Sequence, residues 1–166
     1  MPGVGKSTVG RHLARRIGAT FADTDSLVER RIGCPIRLFF EEHGESRFRE
    51  IESEVLSEAM TSLAAVVATG GGIVLSEANR ALLHSRSVCI YLCAKPEELY
   101  KRLRHDSKRP LLQVADPLRQ LRDLYAARDP LYRETCHYVI DVAAGSLPTL
   151  LSRVQMQLEV SGVIRS

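Results

Sequence analysis

Gly5-Lys6-Ser7-Thr8, reached through Met1-Pro2-Gly3-Val4, is the second part of a phosphate-binding loop, and it restricts the fold more than any other feature. The full pattern is Gly, four residues, Gly, Lys, then Ser or Thr. Counted back from Gly5, the leading Gly falls one position before Met1, so the chain is expected to begin inside its own motif. Gly3 and Gly5 let the backbone turn its N–H groups onto an anion. Lys6 reaches the outer phosphates, and the Ser7 hydroxyl suits Mg²⁺. Gly3, Val4, Gly5, Lys6, Ser7 and Thr8 are therefore the candidate nucleotide-binding residues. A Gly-rich end without function would not open a helical pattern, yet Val9, Leu13 and Ile17 follow at helical spacing and Gly18 closes the run.

The rest of the chain alternates short apolar strands with amphipathic helices. Strands are expected at about 20–23, 65–69, 87–92 and 138–142. Helices are expected at about 6–17, 25–32, 35–43, 46–63, 77–84, 96–103, 117–127 and 147–160. Val66-Val67-Ala68 and Val88-Cys89-Ile90-Tyr91-Leu92 are continuous apolar runs, which suit strands covered on both faces of a parallel sheet. The alternation implies a doubly wound α/β sheet with helices on both faces. A length of 166 residues suits one domain, placed at 1–160, with a frayed tail at 161–166. The charged, aperiodic stretch 104–116 suits a surface loop long enough to act as a lid.

Composition excludes some classes. No apolar run approaches the length of a membrane span. A net charge of +3, without a basic run interleaved by aromatics, argues against nucleic acid and fits small anionic ligands. Cys34, Cys89, Cys93 and Cys136 form no Cys-x-x-Cys pair, so zinc and dithiol chemistry lack support, and reduced thiols point to the cytoplasm. Cys89 and Cys93, at even spacing in one apolar run, are expected on one strand face.

Five further segments could carry chemistry. Asp23-Thr24-Asp25 follows a short strand, where side chains face the ligand crevice. In extended backbone the two carboxylates share a face, one for Mg²⁺ through water and one for a substrate hydroxyl. The competing reading is an Asp cap on the helix that follows. In Gly44-Glu45-Ser46-Arg47-Phe48-Arg49-Glu50-Ile51-Glu52 the two arginines lie about 200° apart on a helix, so at most one serves a site. Taken alone, both read as surface charges paired with Glu45, Glu50 and Glu52. Thr69-Gly70-Gly71-Gly72 strips side chains from a strand end and opens the backbone to a ligand, or is a plain loop. Lys108-Arg109-Pro110-Leu111 offers a lid arginine or a solvated loop. Arg128-Asp129-Pro130-Leu131-Tyr132 marks a helix end and a new helix start, with Arg128 free to grip a carboxylate or to answer a helix dipole.

In this order the segments resemble shikimate kinase. The shared stretches are Gly-Val-Gly-Lys-Ser-Thr-Val-Gly-Arg at 3–11, Asp-Thr-Asp at 23–25, Gly-Glu-Ser-Arg-Phe-Arg-Glu-Ile-Glu at 44–52 and Thr-Gly-Gly-Gly at 69–72. Lys-Arg-Pro-Leu-Leu at 108–112 and Arg-Asp-Pro-Leu-Tyr at 128–132 complete the set. The resemblance implies a sheet of order 2-3-1-4-5, here with strand 1 missing, so that either a gap in mid-sheet or strands closed across it is expected. It also implies a chain with roughly ten more residues before Met1, and a poorly stable, weakly active protein without them.

The resemblance further implies ATP-dependent phosphorylation of the shikimate 3-hydroxyl, with Mg²⁺. By matching positions it makes Asp25 the ligand of the ring hydroxyls and candidate base, and Asp23 the water-mediated Mg²⁺ partner beside Ser7. Arg49 and Arg128 become the grip on the shikimate carboxylate, Gly71 and Gly72 the ring contacts, Arg109 the lid arginine on the phosphates, and Arg102 the stack on adenine. Lys6, Asp25 and Arg109 are thus the catalytic candidates, and a monomer is expected. Near Ala143-Ala144-Gly145-Ser146 the chain lacks the second adenine-side arginine of some relatives. Two alternatives stay open: another small-molecule P-loop kinase, such as a gluconate kinase, and a non-catalytic nucleotide-binding module.

Overall fold

The computed structural model describes residues 1–61, 65–104, 114–143 and 145–164. The element order is α1 (Lys6–Ile17), β1 (Thr20–Asp23), α2 (Thr24–Ile32), α3 (Ile36–Ala59), β2 (Ala65–Ala68), a 3₁₀ turn (Ile73–Leu75), α4 (Glu77–Arg86), β3 (Ile90–Cys93), α5 (Pro96–Leu103), α6 (Pro117–Thr135), β4 (Tyr138–Asp141) and α7 (Leu147–Val160).

The strands form two parallel pairs. Phe21 of β1 lies opposite Val66 of β2, and Ile90 of β3 lies opposite Tyr138 of β4. Among the described residues the two pairs do not hydrogen-bond to each other. An order of 2-3-1-4-5 with strand 1 taken out leaves these two pairs, 2-3 and 4-5, with a gap between them.

Packing follows the sequence pattern. Val9, Leu13 and Ala14 bury one face of α1, and Gly10 lets that helix approach the Phe21 ring closely. Leu56, Ile73, Leu99, Leu121 and Val154 are fully buried in the main core. A second, smaller core joins Val28 of α2 to Phe39, Phe48, Ile51 and Val55 of α3.

Several boundaries differ from expectation. The helices expected at 35–43 and 46–63 are one run, Ile36–Ala59, broken only at Gly44 with φ 77° and ψ 170°. Glycine reaches that conformation without steric cost, so the chain turns there without a separate loop. The helix expected to end at 127 continues to Thr135 with Pro130 inside it. Pro130 and Ala126 are both exposed, so solvent can satisfy the Ala126 carbonyl that the proline leaves unbonded. β3 begins at Ile90, so Cys89 directly precedes the strand, with its carbonyl accepting the His137 and Tyr138 N–H groups, and Cys93 ends it, buried. At the C-terminal end, the Val163 N–H donates to the Leu158 carbonyl at 3.0 Å and Ile164 packs on the main core, while 165–166 of the expected tail lie outside the described residues.

Candidate active site

The phosphate loop is built by two left-handed glycines. Gly3 has φ 73° and Gly5 φ 97°, and Gly5 sits at the N-cap of α1 with no side chain capping the helix. The first N–H groups of α1 thus face the loop at the positive end of the helix dipole. Lys6 Nζ donates to the Met1 carbonyl at 3.1 Å, and the Ser7 hydroxyl donates to Asp23 Oδ2 at 2.5 Å.

Asp23 ends β1 and does two things. Its Oδ2 holds Ser7, and its Oδ1 accepts the Asp25 N–H at 3.1 Å, capping α2. The cap and the site readings of this segment therefore both hold. Asp23 and Asp25 do not share one extended run, because the helix starts at Thr24. Asp25 instead reaches the cleft from the first turn of α2. Burial pushes its carboxyl above the usual range, and the Asp23 charge adds to the shift, while Lys6 and Arg49 oppose it.

One cleft of about 680 Å³ joins these parts. It is lined by Gly3, Gly5, Lys6, Ser7 and Thr8, by Asp23 and Asp25, by Thr69 and Gly71, and by Leu124 and Arg128 of α6. A smaller cavity of about 290 Å³ lies by Thr20, Leu27, Arg31 and Glu58, away from the phosphate loop.

The glycine turn is where the remaining groups meet. A Cβ on Gly70 would strike Asp25 Oδ1, and one on Gly72 would land on the Arg49 guanidinium. A Cβ on Gly71 would lie 3.5 Å from Arg128 Nη1. Arg49 and Arg128, distant in sequence, thus stand against adjacent glycines. Arg49 Nη1 donates to Glu52 at 2.6 Å, and Nε and Nη2 donate to Glu45 at 3.2 and 3.0 Å. Its guanidinium lies 5.1 Å from the Phe48 ring centre and 5.9 Å from that of Phe40. Burial works against the Arg49 charge, yet the Glu52 and Glu45 bonds outweigh it and hold its pKa above the ordinary value. Arg47 turns outward to Glu50, as the helical spacing required.

Arg102 of α5 donates from Nη2 to the Val142 carbonyl at 3.0 Å, beside the segment that follows β4. Arg109, with most of the expected lid, lies outside the described residues.

Three participants escaped the sequence reading. Glu52 is 2 % exposed, and burial raises its pKa although Arg49 pairs with it. Its position three residues after Arg49 was visible, but such spacing is equally that of a surface pair. Thr24 is fully buried and accepts the Gly70 N–H at 2.9 Å. Tyr132 donates its hydroxyl to the Gly71 carbonyl at 2.7 Å. Nothing local signals either long-range bond.

A family profile described as shikimate kinase matches residues 2–158. A shikimate kinase of Paracidovorax citrulli is 49 % identical over 166 residues, covering 98 % of this chain and 91 % of the relative. One of Ralstonia nicotianae is 47 % identical, covering 98 % of this chain and 85 % of the relative. Among solved structures, shikimate kinase from Acinetobacter baumannii in complex with shikimate superposes with a TM-score of 0.88 at 44 % identity, over 96 % of this chain and 89 % of that one. The Aquifex aeolicus enzyme reaches a TM-score of 0.85 at 28 % identity, over 98 % and 94 % of the two chains.

Proposed function

The chain belongs to the shikimate kinase family, and from that premise we propose that it transfers the γ-phosphoryl group of ATP to the 3-hydroxyl of shikimate, a step of aromatic amino-acid biosynthesis. The observation that carries this reading is the single cleft running from the phosphate loop to Asp25, the glycine turn and Arg128. A phosphate donor and a hydroxyl acceptor can meet there without crossing the protein.

Phosphoryl transfer asks for positioning and charge neutralisation rather than covalent work by the protein. The N–H groups of the loop and Lys6 would hold the phosphates. Ser7 and Asp23, hydrogen-bonded to each other, offer the hard oxygens that would hold a Mg²⁺ carried in with the nucleotide, Asp23 through water. When bound, Mg²⁺ supplies charge neutralisation on the phosphate oxygens. Among the described residues no group of three His, Cys, Asp or Glu side chains gathers into a metal cage.

Asp25 would orient the acceptor hydroxyl and take its proton at a carboxylate oxygen. A raised carboxyl pKa makes it a better base than an exposed aspartate. Arg49 and Arg128 would grip the shikimate carboxylate. The Glu45 and Glu52 bonds use three of the five Arg49 N–H donors. Gly71 and Gly72 let the ring approach the backbone. Arg102 would stack on adenine, and Arg109 would reach the phosphates. The same reading makes the enzyme a cytoplasmic monomer without a nucleic-acid partner. Among the described residues no helix is long and apolar enough to cross a membrane.

The test is coupled ADP release with Mg²⁺-ATP and either shikimate or gluconate. Shikimate-dependent release, with gluconate inert, is expected. Gluconate turnover would favour the other small-molecule kinase, and tight ATP binding without turnover of either would favour a binding module.

A further inference from the structure

We infer that Thr24 and Tyr132 are positioning residues, two buried hydroxyls that grip the Gly70 N–H and the Gly71 carbonyl and so hold the Gly70-Gly71-Gly72 turn between Asp25 and the two arginines. This rests on the proposed reading of the site.

Three glycines in a row cannot anchor themselves. They have no side chains to pack and the most backbone freedom to lose. Yet the turn is where the substrate groups converge. Gly70 abuts Asp25 and Glu52, Gly71 abuts Arg128, and Gly72 abuts Arg49. A shift of the turn by a fraction of an ångström would change the spacing of all these groups, and small misplacements of reacting groups are costly.

Each grip comes from an element that also carries a substrate group. Thr24 opens α2 directly before Asp25, is fully buried, and accepts the Gly70 N–H at 2.9 Å from 46 residues away. Tyr132 lies one helical turn after Arg128 on α6, is 8 % exposed, and donates to the Gly71 carbonyl at 2.7 Å from 61 residues away. The Tyr132 ring is itself held, with its centre 4.8 Å from that of Tyr91. The Tyr91 hydroxyl donates to Asp129 at 3.0 Å, and Asp129 also accepts from Arg133 at 2.7 Å. The turn is thereby fixed to the helix of Asp25 on one side and to the helix of Arg128 on the other. The Thr24 hydroxyl spends its bond on backbone, while the Tyr132 hydroxyl also accepts from the Arg128 guanidinium and so braces that arginine together with the turn; the effect of both on substrate is indirect.

The test uses Thr24→Val, Thr24→Ser, Tyr132→Phe and the Thr24→Val/Tyr132→Phe pair, with steady-state constants for shikimate and for ATP and amide exchange at Gly70. Leaving a buried peptide group unpaired should raise the shikimate KM about 5- to 50-fold in Thr24→Val and in Tyr132→Phe. The ATP KM should stay within about twofold, and Thr24→Ser, which keeps the hydroxyl, should restore the shikimate KM to within about threefold. The paired variant should lose less than the product of the single losses, because both bonds restrain one turn. Gly70 amide exchange should quicken about tenfold in Thr24→Val and stay near wild type in Thr24→Ser. Shikimate and ATP constants moving together, or a folded Tyr132→Phe with an unchanged shikimate KM, would overturn the inference. If Thr24→Val does not fold, Tyr132→Phe decides alone. The exchange measurement needs no substrate, so it separates two failures. A wild type inert toward shikimate with Gly70 still released in Thr24→Val would sink the proposed function and leave the clamp. Normal turnover with no change in exchange or KM would sink the clamp.

Discussion

At the residue scale, Asp25 shows how one side chain trades stability for reactivity. Its folded pKa is raised, first by burial and then by Asp23. The folded state therefore binds the proton more tightly than the unfolded chain does, and stability falls as pH rises from the ordinary aspartate value through the folded one. Above that window the charged form is a standing cost. Asp25→Asn should then melt higher than wild type at neutral pH while losing about 10²–10⁴-fold in kcat. The acid limb of kcat/KM for wild type should sit above the ordinary carboxylate range and vanish in the variant's residual activity. Near-normal kcat in Asp25→Asn would remove the role.

The arginines separate along a different line. Arg128→Ala should weaken shikimate binding about 10- to 150-fold and leave ATP binding intact, read by calorimetry. Arg49→Ala should do the same and also lower the melting temperature, because it leaves Glu52 buried without its partner. ATP affinity falling as far as shikimate affinity in either variant would contradict the carboxylate grip.

At the scale of elements, the glycine turn is the sharpest test. Gly72 has φ −84° and ψ −6°, which alanine adopts freely. The nearest obstacle to Gly72→Ala is the Arg49 guanidinium, where the new methyl would land. The variant should fold and bind ATP normally, with a shikimate KM raised about tenfold or more as Arg49 is displaced. A shikimate KM within about twofold of wild type would show that the placement of Arg49 is not needed. Arg109 belongs to the 104–116 segment, and Arg109→Ala should cut turnover far more than ATP affinity, since its contact matters most as charge redistributes. Single-turnover rates set beside ATP dissociation constants decide this, and equal losses in both would reject it.

The same scale shows what could be read beforehand. Periodic segments with clear punctuation were legible, as for α1, closed by Gly18, and α5, opened by Pro96. Pro130 misled, because a proline on an exposed helix face costs only a solvent-facing bond and α6 runs through it. The 3₁₀ turn at Ile73–Leu75 is too short to carry a period of its own.

Over the whole molecule, the phosphate loop and the Asp-Thr-Asp segment were visible because each is contiguous in sequence. The convergence of Arg49 and Arg128 beside Gly71 and Gly72 was expected only through the family resemblance, since no spacing rule links residues on α3, α6 and the turn after β2. The Thr24 and Tyr132 bonds, across 46 and 61 residues, were hidden for the same reason. β1 leads into Asp25 and β2 into the glycine turn, both of which line the cleft, while β3 leads toward α5 with Arg102.

The most direct measurement is ³¹P and ¹H NMR of the products formed from Mg²⁺-ATP and shikimate. One phosphate monoester coupled to the proton on carbon 3, appearing in step with ADP, is the predicted result. Ester on another hydroxyl, or ADP accompanied only by inorganic phosphate, would contradict transfer to the 3-hydroxyl.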